Sequence, residues 1–582
     1  MSDAADAVLA NEPKFQEAIT KRKFSTLLSQ LWNLVSPYWK SEEKVFAWTM
    51  LAVVFGLNMA SIYCAVLLNT WSASFYNALQ SLDKAHFTAL LGQFFIIVLA
   101  LIVLFVAESF LRTYLAFKWR VWLTKQVMGD WLHNSTFSRL FTHKTKTENP
   151  DQRISQDLNT FTSSSLSLSF SIVSQLVKCV TFAIILWALS SALLLPLPGG
   201  KQLNIPGYML WFTMIYVGIS TTIIFKTGKP LVKLDYAQEK VEADFRFSLM
   251  RIRERRDEVS ILNGSAAESK FLGRNIVDVI KNYKQIIKRN IYVNTFQNLF
   301  LNMTTVLPIL AAAPMYFSGA ITLGVLMQIS NAFGSVEGAL MIFALNFQTF
   351  ASWKATFNRI VDFRAEMESL KNTLDTQHSD LEWHASPNNL SLVINNLTLH
   401  LPDSQELAHF NFDVKAQERV LLMGRSGMGK STLIKCVAGL WPFANGTIQR
   451  PQDVVIIPQK PYFPIGTLRD CLLYPNLESQ ISDQEMQRIL SACSLEILKG
   501  RLDEVHDWLS ILSLGEQQRL NFARVMLAKP TWLIMDEPTA SMDKDLEKNL
   551  FAALYNELPT VSLLTIGHAL SLRDLHHRVI QL

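Results

Sequence analysis

The stretch from Gly424 to Thr432, GRSGMGKST, places glycines, a lysine and two hydroxyls at a spacing suited to phosphate. Gly424, Gly427 and Gly429 let the backbone N–H groups of the loop, with those of Arg425, Ser426 and Met428, close around an anion. Lys430 can then reach the β- and γ-phosphates of ATP. Ser431 can ligate Mg²⁺, and Thr432 continues the loop into a helix. The apolar run RVLLM before the loop and LIKCVAGL after it supply the strand and helix that this motif requires. A second stretch, WLIMDEP, ends an apolar strand at Asp536, placed to hold Mg²⁺ directly or through water. Glu537 follows and can orient or deprotonate an attacking water. Phosphoryl transfer is mostly positioning and charge neutralisation, and these are its parts. A solvated turn is the bland reading of Asp536 and Glu537, and the P-loop beside them argues against it.

The elements that carry these residues divide the 582-residue chain in two. Hydrophobic residues make up 49% and charged ones only 18%, a balance that calls for membrane segments. Six stretches reach the ~20 apolar residues needed to cross a bilayer: about 45–69, 88–112, 162–190, 206–226, 296–317 and 321–349. Their connections differ in charge. The one at 113–160 holds Lys118, Arg120, Lys125, Arg139, Lys144, Lys146 and Arg153, and the one at 227–295 is richer, whereas 70–87 and 191–205 hold only Lys84 and Lys201. Both termini and both long loops are therefore expected in the cytoplasm. Before the first span, FSTLLSQLWNLVSPYW reads as an interfacial helix with Trp32, Tyr38 and Trp39 at the headgroup level. The expected division is 1–44 tail and interfacial helix, 45–350 transmembrane domain, 351–388 linker and 389–582 nucleotide-binding domain. No cleavable signal peptide is visible at the N-terminus. The five cysteines are scattered without a C-x-x-C pair, so inert thiols are expected.

The motif order of the C-terminal part resembles that of ABC-transporter ATPases. Gln459 in IIPQKPYFPIGTLRD resembles the Q-loop residue that senses Mg²⁺, and LSLGEQQR (Leu512–Arg519) resembles the family signature. SMD (Ser541–Asp543) resembles the D-loop, and His568 in LTIGHAL resembles the switch histidine at the γ-phosphate. The resemblance implies that Ser513, Gly515, Glu516 and Asp543 also belong to the ATP site, with Glu537, His568 and Gln459 catalytic. Leu514 stands where the signature usually has its first glycine. A side chain is tolerable there if φ stays negative, so a subfamily variation is expected rather than a disabled site. In place of the family's adenine-stacking aromatic the chain has His400 and Leu401. The family faces one chain's signature with another chain's P-loop, so a homodimer with two composite sites is implied. The adjacent His576 and His577 read as surface or packing residues.

Six spans ahead of one ATPase, with NPDQRISQD in the first long loop and EADFRFSLMRIRERRDEVSILNGSAAE in the second, resemble the peroxisomal-type (subfamily D) half-transporters and the bacterial SbmA/BacA-like ATPase-fused permeases. The implied fold is an all-α six-span domain of exporter (type IV) fold followed by an α/β P-loop ATPase. Implied partners are the lipid bilayer, a second copy and a transported solute, in a bacterial inner membrane. Repair and translation ATPases lack the spans, so no nucleic-acid partner is expected. The residues themselves add a modest clue to cargo. Ser164, Ser167, Ser171, Ser174 and Lys178 form one helical stripe in the third span. A lysine at mid-membrane costs ~2.5–3.5 kcal/mol on insertion scales and should face water or a partner. Gln328, Asn331, Ser335 and Glu337 add polarity in the sixth span, and Glu108 and Arg112 in the second. Helix–helix hydrogen bonding is the alternative for the serines. Lys178, Ser174 and Ser171 point to a hydrophilic cavity and a hydrophilic or amphipathic solute, cobalamin-like or peptide-like. The alternative is a lipid or fatty acyl-CoA.

Overall fold

The computed structural model describes residues 24–142, 149–190, 193–196, 202–342, 346–376, 381–386, 390–402, 405–425 and 427–582. They fall into two compact units, Met1–Met128 with Asn149–Arg364 and Gly129–Glu148 with Ala365–Leu582.

The first unit is helical: α1 (Phe24–Lys40), α2 (Lys44–Gln80), α3 (Lys84–Leu132, its last four residues in the second unit), α4 (Leu158–Leu189), α5 (Tyr208–Glu254), α6 (Ser265–Phe317), α7 (Leu323–Leu340) and α8 (Phe347–Thr376, in the second unit from Ala365). The stretches containing α2 to α6 are long and apolar enough to cross a membrane. At 53 residues, α6 is ~80 Å long against a hydrocarbon core of ~30 Å, so it continues well beyond the lipid. The sixth expected span is α7, with only 18 residues, and its polar side chains set it apart from the other five. Its first N–H groups are capped from α2: Asn77 Oδ1 accepts from Gly324 N at 3.0 Å and Gln80 Oε1 from Leu323 N at 3.2 Å. A Cβ on Gly324 would come within 2.0 Å of the Ala73 carbonyl, so only glycine lets α7 start this close to α2. Phe182, Leu186, Tyr216, Ile329, Phe333 and Val336 fill the interior. Phe95, Ile96, Leu99 and Phe105 of α3 are exposed, as side chains facing lipid tails should be.

Tyr38 is fully buried, its ring 6.1 Å from Trp119 and 5.8 Å from Trp122 of α3, so it packs between helices. Trp32 on the same helix is 64% exposed. The stretch expected as a linker is mostly helix, because α8 runs to Thr376 and β3 begins at Leu381. Phe357, Ile360, Phe363, Met367 and Leu370 recur every three or four residues and are all buried. Asp157, 6% exposed at its side chain, receives Arg359 Nε at 2.9 Å and Nη2 at 2.7 Å from α8, and Arg153 Nη1 at 2.8 Å.

A short antiparallel pair, β1 (Leu193–Pro196) and β2 (Gln202–Ile205), lies between α4 and α5. The second unit contains β3 (Leu381–Ala385), β4 (Ser391–His400), β5 (Glu406–Lys415), β6 (Arg419–Met423), α9 (Lys430–Val437), β7 (Ala444–Arg450), β8 (Val454–Ile457), α10 (Leu514–Ala528), β9 (Trp532–Asp536), α11 (Lys544–Glu557), β10 (Ser562–Ile566) and β11 (Arg578–Gln581). One sheet has the order β11-β6-β10-β9-β8, and all its pairs are parallel. Every residue of β9 and β10 is buried, as central parallel strands covered on both faces require. The other sheet, β3-β7-β4-β5, packs with α9 around Leu392, Ile394, Phe410, Val420, Ile434 and Ile534.

Candidate functional site

The strand order brings four loops to one edge, because parallel strands end together. The P-loop follows β6, His568 follows β10, Asp536 and Glu537 close β9, and Gln459 follows β8. In open parallel sheets ligands bind at such carboxyl ends. Gly427 and Gly429 adopt φ of +86° and +79°, which carries the P-loop back over the start of α9. Ser426 lies outside the described residues.

Lys430 is buried and its ammonium donates to Gly424 O at 2.7 Å and Arg425 O at 2.9 Å, and lies 3.1 Å from His568 Nε2. Burial pushes its pKa down. Asp536 is buried and takes a hydrogen bond from Ser431. Burial pushes its carboxyl up, against the lowering pull of that bond and of Lys430. The Glu537 carboxylate is held from two sides. Gln459 Nε2 donates to Oε2 at 2.7 Å, and His568 Nε2 lies 3.2 Å from Oε1. Its own backbone N–H is fixed to Ile566 O of β10 at 2.8 Å. His568 Nε2 thus sits between an ammonium and a carboxylate. One ring nitrogen cannot accept from Lys430 and donate to Glu537 together, so the proton on His568 decides which it serves. A hydroxyl, a carboxylate and a carboxamide from Ser431, Asp536 and Gln459 are hard oxygen donors that fit Mg²⁺.

The signature begins α10. Ser513 is its N-cap in a reciprocal box with Glu516: the Ser513 N–H and hydroxyl donate to Glu516 Oε2 at 2.9 and 2.7 Å, and Glu516 N–H donates to Ser513 Oγ at 3.4 Å. These bonds hold the Glu516 carboxyl below its ordinary pKa. Leu514, the first helical residue, is half exposed and is absent from the residues with positive φ, so its position does not need glycine. A Cβ on Gly515 would lie 3.4 Å from Ser541 O, where the D-loop approaches. Ser541 N–H donates to Gln518 Oε1 at 3.2 Å, which ties the two motifs. Of the residues that sequence reasoning placed in the ATP site, Glu516 and Asp543 are also helix caps: Glu516 for α10, and Asp543 for α11 by accepting from Asp545 and Leu546. The carbonyl of His400 accepts from Trp441 Nε1 at 3.1 Å. His576 is buried, bonded to Leu572 O and Thr565 Oγ1, so it is a packing residue. No histidine, cysteine or acid cluster among the described residues is arranged for a metal, and no disulfide joins the five thiols.

In the membrane unit, Lys178 lines a cavity of about 640 Å³ with Asn298, Thr304, Asn331, Ser335 and Glu337. Ser171 and Ser174 do not line it. Glu108 is paired with Arg112 within α3 at 2.8 Å, which satisfies both groups away from the cavity. The contribution of α6 was missed by sequence reasoning, although Asn294, Gln297, Asn298, Thr304 and Thr305 carry a polar stripe at helical spacing that could have revealed it.

Comparison with known proteins places both halves. Residues 16–317 match the family described as ABC transporter transmembrane region 2, and residues 407–540 match ABC transporter. A chloroplastic ABC transporter D family member of Arabidopsis thaliana is 30% identical over 96% of this chain and 86% of its own. An inner membrane ABC transporter ATP-binding protein of Escherichia coli is 28% identical over 93% of this chain and 95% of its own. The lysosomal cobalamin transporter of Homo sapiens is 23% identical over 95% and 94%. Among solved structures, a bacterial Atm1-family ABC exporter with ATP bound superposes with a TM-score of 0.68 at 15% identity, covering 92% of this chain and 93% of that one.

Proposed function

The chain belongs to the ABC transporters of the D-family type, which couple ATP hydrolysis to transport across a membrane, and from that premise we propose that it works as a homodimer carrying a hydrophilic or amphipathic solute, cobalamin-like or peptide-like. One P-loop and one signature per chain support the dimer, since two copies complete two composite sites. In each site Lys430 and the P-loop N–H groups neutralise the phosphates, and Ser431, Asp536 and Gln459 would hold Mg²⁺, which would supply further charge neutralisation at the phosphates. Glu537 takes the proton of the attacking water, with Gln459 and His568 fixing its carboxylate. Ser513 and Gly515 of the facing signature bind the γ-phosphate. ATP drives the membrane halves through its higher affinity for the closed dimer, and hydrolysis releases them. The basic long loops support a cytoplasmic ATPase and termini, and the Escherichia coli relative supports an inner membrane.

The observation that carries the cargo reading is Lys178 on a half-open cavity that it shares with Asn298, Thr304, Asn331 and Glu337. A second reading, a lipid or acyl-CoA mover, draws on an apolar groove of about 460 Å³ lined by Trp32, Val35, Trp39, Leu166, Ile172 and Trp353. One screen separates them. Reconstituted protein is offered cobalamin, short peptides, long-chain acyl-CoA and phospholipid, with ATPase stimulation and ATP-dependent uptake as readouts. Stimulation by the polar solutes, weakened but not abolished in Lys178→Met, supports the first reading. Stimulation by acyl-CoA or phospholipid alone overturns it.

A further inference from the structure

The polar cavity carries both signs of charge without joining them. Lys178 enters from α4, and among the described residues it has no ion pair and no hydrogen bond. Glu337 enters from α7, is 5% exposed, and has the Thr304 hydroxyl of α6 beside it. Thr304 is fixed in turn, donating to Phe300 O at 3.0 Å and lying 3.3 Å from the Tyr216 hydroxyl. Carboxamides from two helices share the lining, Asn298 of α6 and Asn331 of α7. Asn331 is oriented by Ser72 of α2, to which its amide donates at 3.1 Å.

An ammonium in a membrane span needs an anion or water. Had Lys178 and Glu337 paired, the cavity would be electrically closed and suited to a neutral solute. Held apart, they leave two charges of opposite sign with carboxamides around them. The complement is a solute that brings its own anion and its own cation, and about 640 Å³ is the size of a small-molecule site.

We propose that this cavity selects zwitterionic solutes, with the carboxylate placed on Lys178, the ammonium on Glu337 and the intervening amides on Asn298 and Asn331. This rests on the hydrophilic-cargo reading and adds the charge pattern and the two residues that enforce it. Burying one charge without its partner forfeits the pairing and leaves the other uncompensated.

The test uses the full chain in liposomes and an alanine–glutamine–alanine tripeptide in four forms: free, N-acetylated, C-amidated and blocked at both ends. The readout is the concentration giving half-maximal ATPase stimulation. The parent protein is expected to prefer the free peptide over each blocked form by about tenfold or more, which is ~1.4 kcal/mol. Lys178→Met should erase the preference for carboxylate over amide and keep the preference for free over acetylated amine. Glu337→Gln should do the reverse. The preference that each variant retains serves as its folding control, and Lys178→Arg should restore the carboxylate preference. A parent that treats all four forms alike overturns the inference, as does a variant that erases the wrong preference. If a neutral hydrophilic solute is carried without any charge preference, the hydrophilic-cargo reading survives and this inference does not.

Discussion

Glu537→Gln is the perturbation whose outcome the geometry constrains most tightly. Glutamine matches glutamate in size, and its amide oxygen can still accept from Gln459 Nε2, which now lies 2.7 Å from the carboxylate. Its amide nitrogen can face His568 Nε2, 3.2 Å away in the parent, provided His568 is neutral with its proton on Nδ1. Position is therefore kept, while the charge and the proton acceptor are lost. Lys430, Ser431 and Asp536 are untouched, so nucleotide binding should persist. Removing a general base costs about 10²–10⁴-fold in rate, or ~2.7–5.5 kcal/mol of barrier at 1.36 kcal/mol per decade. The assay is phosphate release from reconstituted protein beside retention of labelled ATP. The expected result is ATP held at parental affinity with release slowed by two decades or more. Release within about tenfold of the parent would refute the assignment of Glu537 as base, and loss of ATP binding would refute the argument that only the proton acceptor had changed.

Other expectations follow from the same contacts. Leu514→Gly should keep ATPase activity at a helix cost of at most ~1 kcal/mol, whereas Gly515→Asp should abolish hydrolysis, because a carboxylate there would meet both Ser541 and the γ-phosphate. Asp157→Ala leaves Arg153 and Arg359 unpaired. It should destabilise the membrane unit by ~2–4 kcal/mol in thermal melting, less than for a fully buried pair because the Arg359 side chain is 42% exposed. Glu516→Gln keeps an acceptor in the cap of α10 but removes the charge at the helix N-terminus, at a cost of ~0.3–1 kcal/mol. The folded Glu516 carboxyl lies below its ordinary value of 4.5, so its contribution is present above that pH and lost as pH falls through the folded value. Parent and variant melting points should accordingly converge in acid.

The two halves were legible for different reasons. Lys430 and Ser431 follow glycines within a few residues, and Asp536 closes an apolar run, so local pattern places them. The clasp of Gln459, Glu537, His568 and Lys430 was not legible as contacts. It depends on β10 lying between β6 and β9, with β8 beyond, and sequence order alone does not give that neighbour order. Glu516 and Asp543 also carry cap signatures, Ser513-x-x-Glu516 and an aspartate before a helix, so their structural role was legible beside their motif role. In the membrane unit, apolar length reveals α2 to α6, but α7 is short and polar on the side that meets the cavity. Lys178 was legible as an isolated charge in an apolar span. Ser171 and Ser174 share its stripe, but the cavity depends on α6 and α7, and periodicity on one helix cannot say where neighbouring helices leave space. The packing of Tyr38 was hidden for the same reason, since Trp119 and Trp122 that cover it are 81 and 84 residues away in sequence.

The measurement that bears most directly on the composite ATP site is complementation between two inactive chains. Lys430→Ala and Gly515→Asp are each purified as homodimers and then coexpressed with separate tags, so that only mixed dimers are isolated. If each signature serves the other copy's P-loop, the mixed dimer contains one site with both motifs intact and regains ATP hydrolysis that neither homodimer has. A dimer of the unaltered chain with one carrying both substitutions should then be inactive. A silent mixed dimer beside an active control of that second kind would mean that each chain builds its site alone, and would contradict the shared-site dimer.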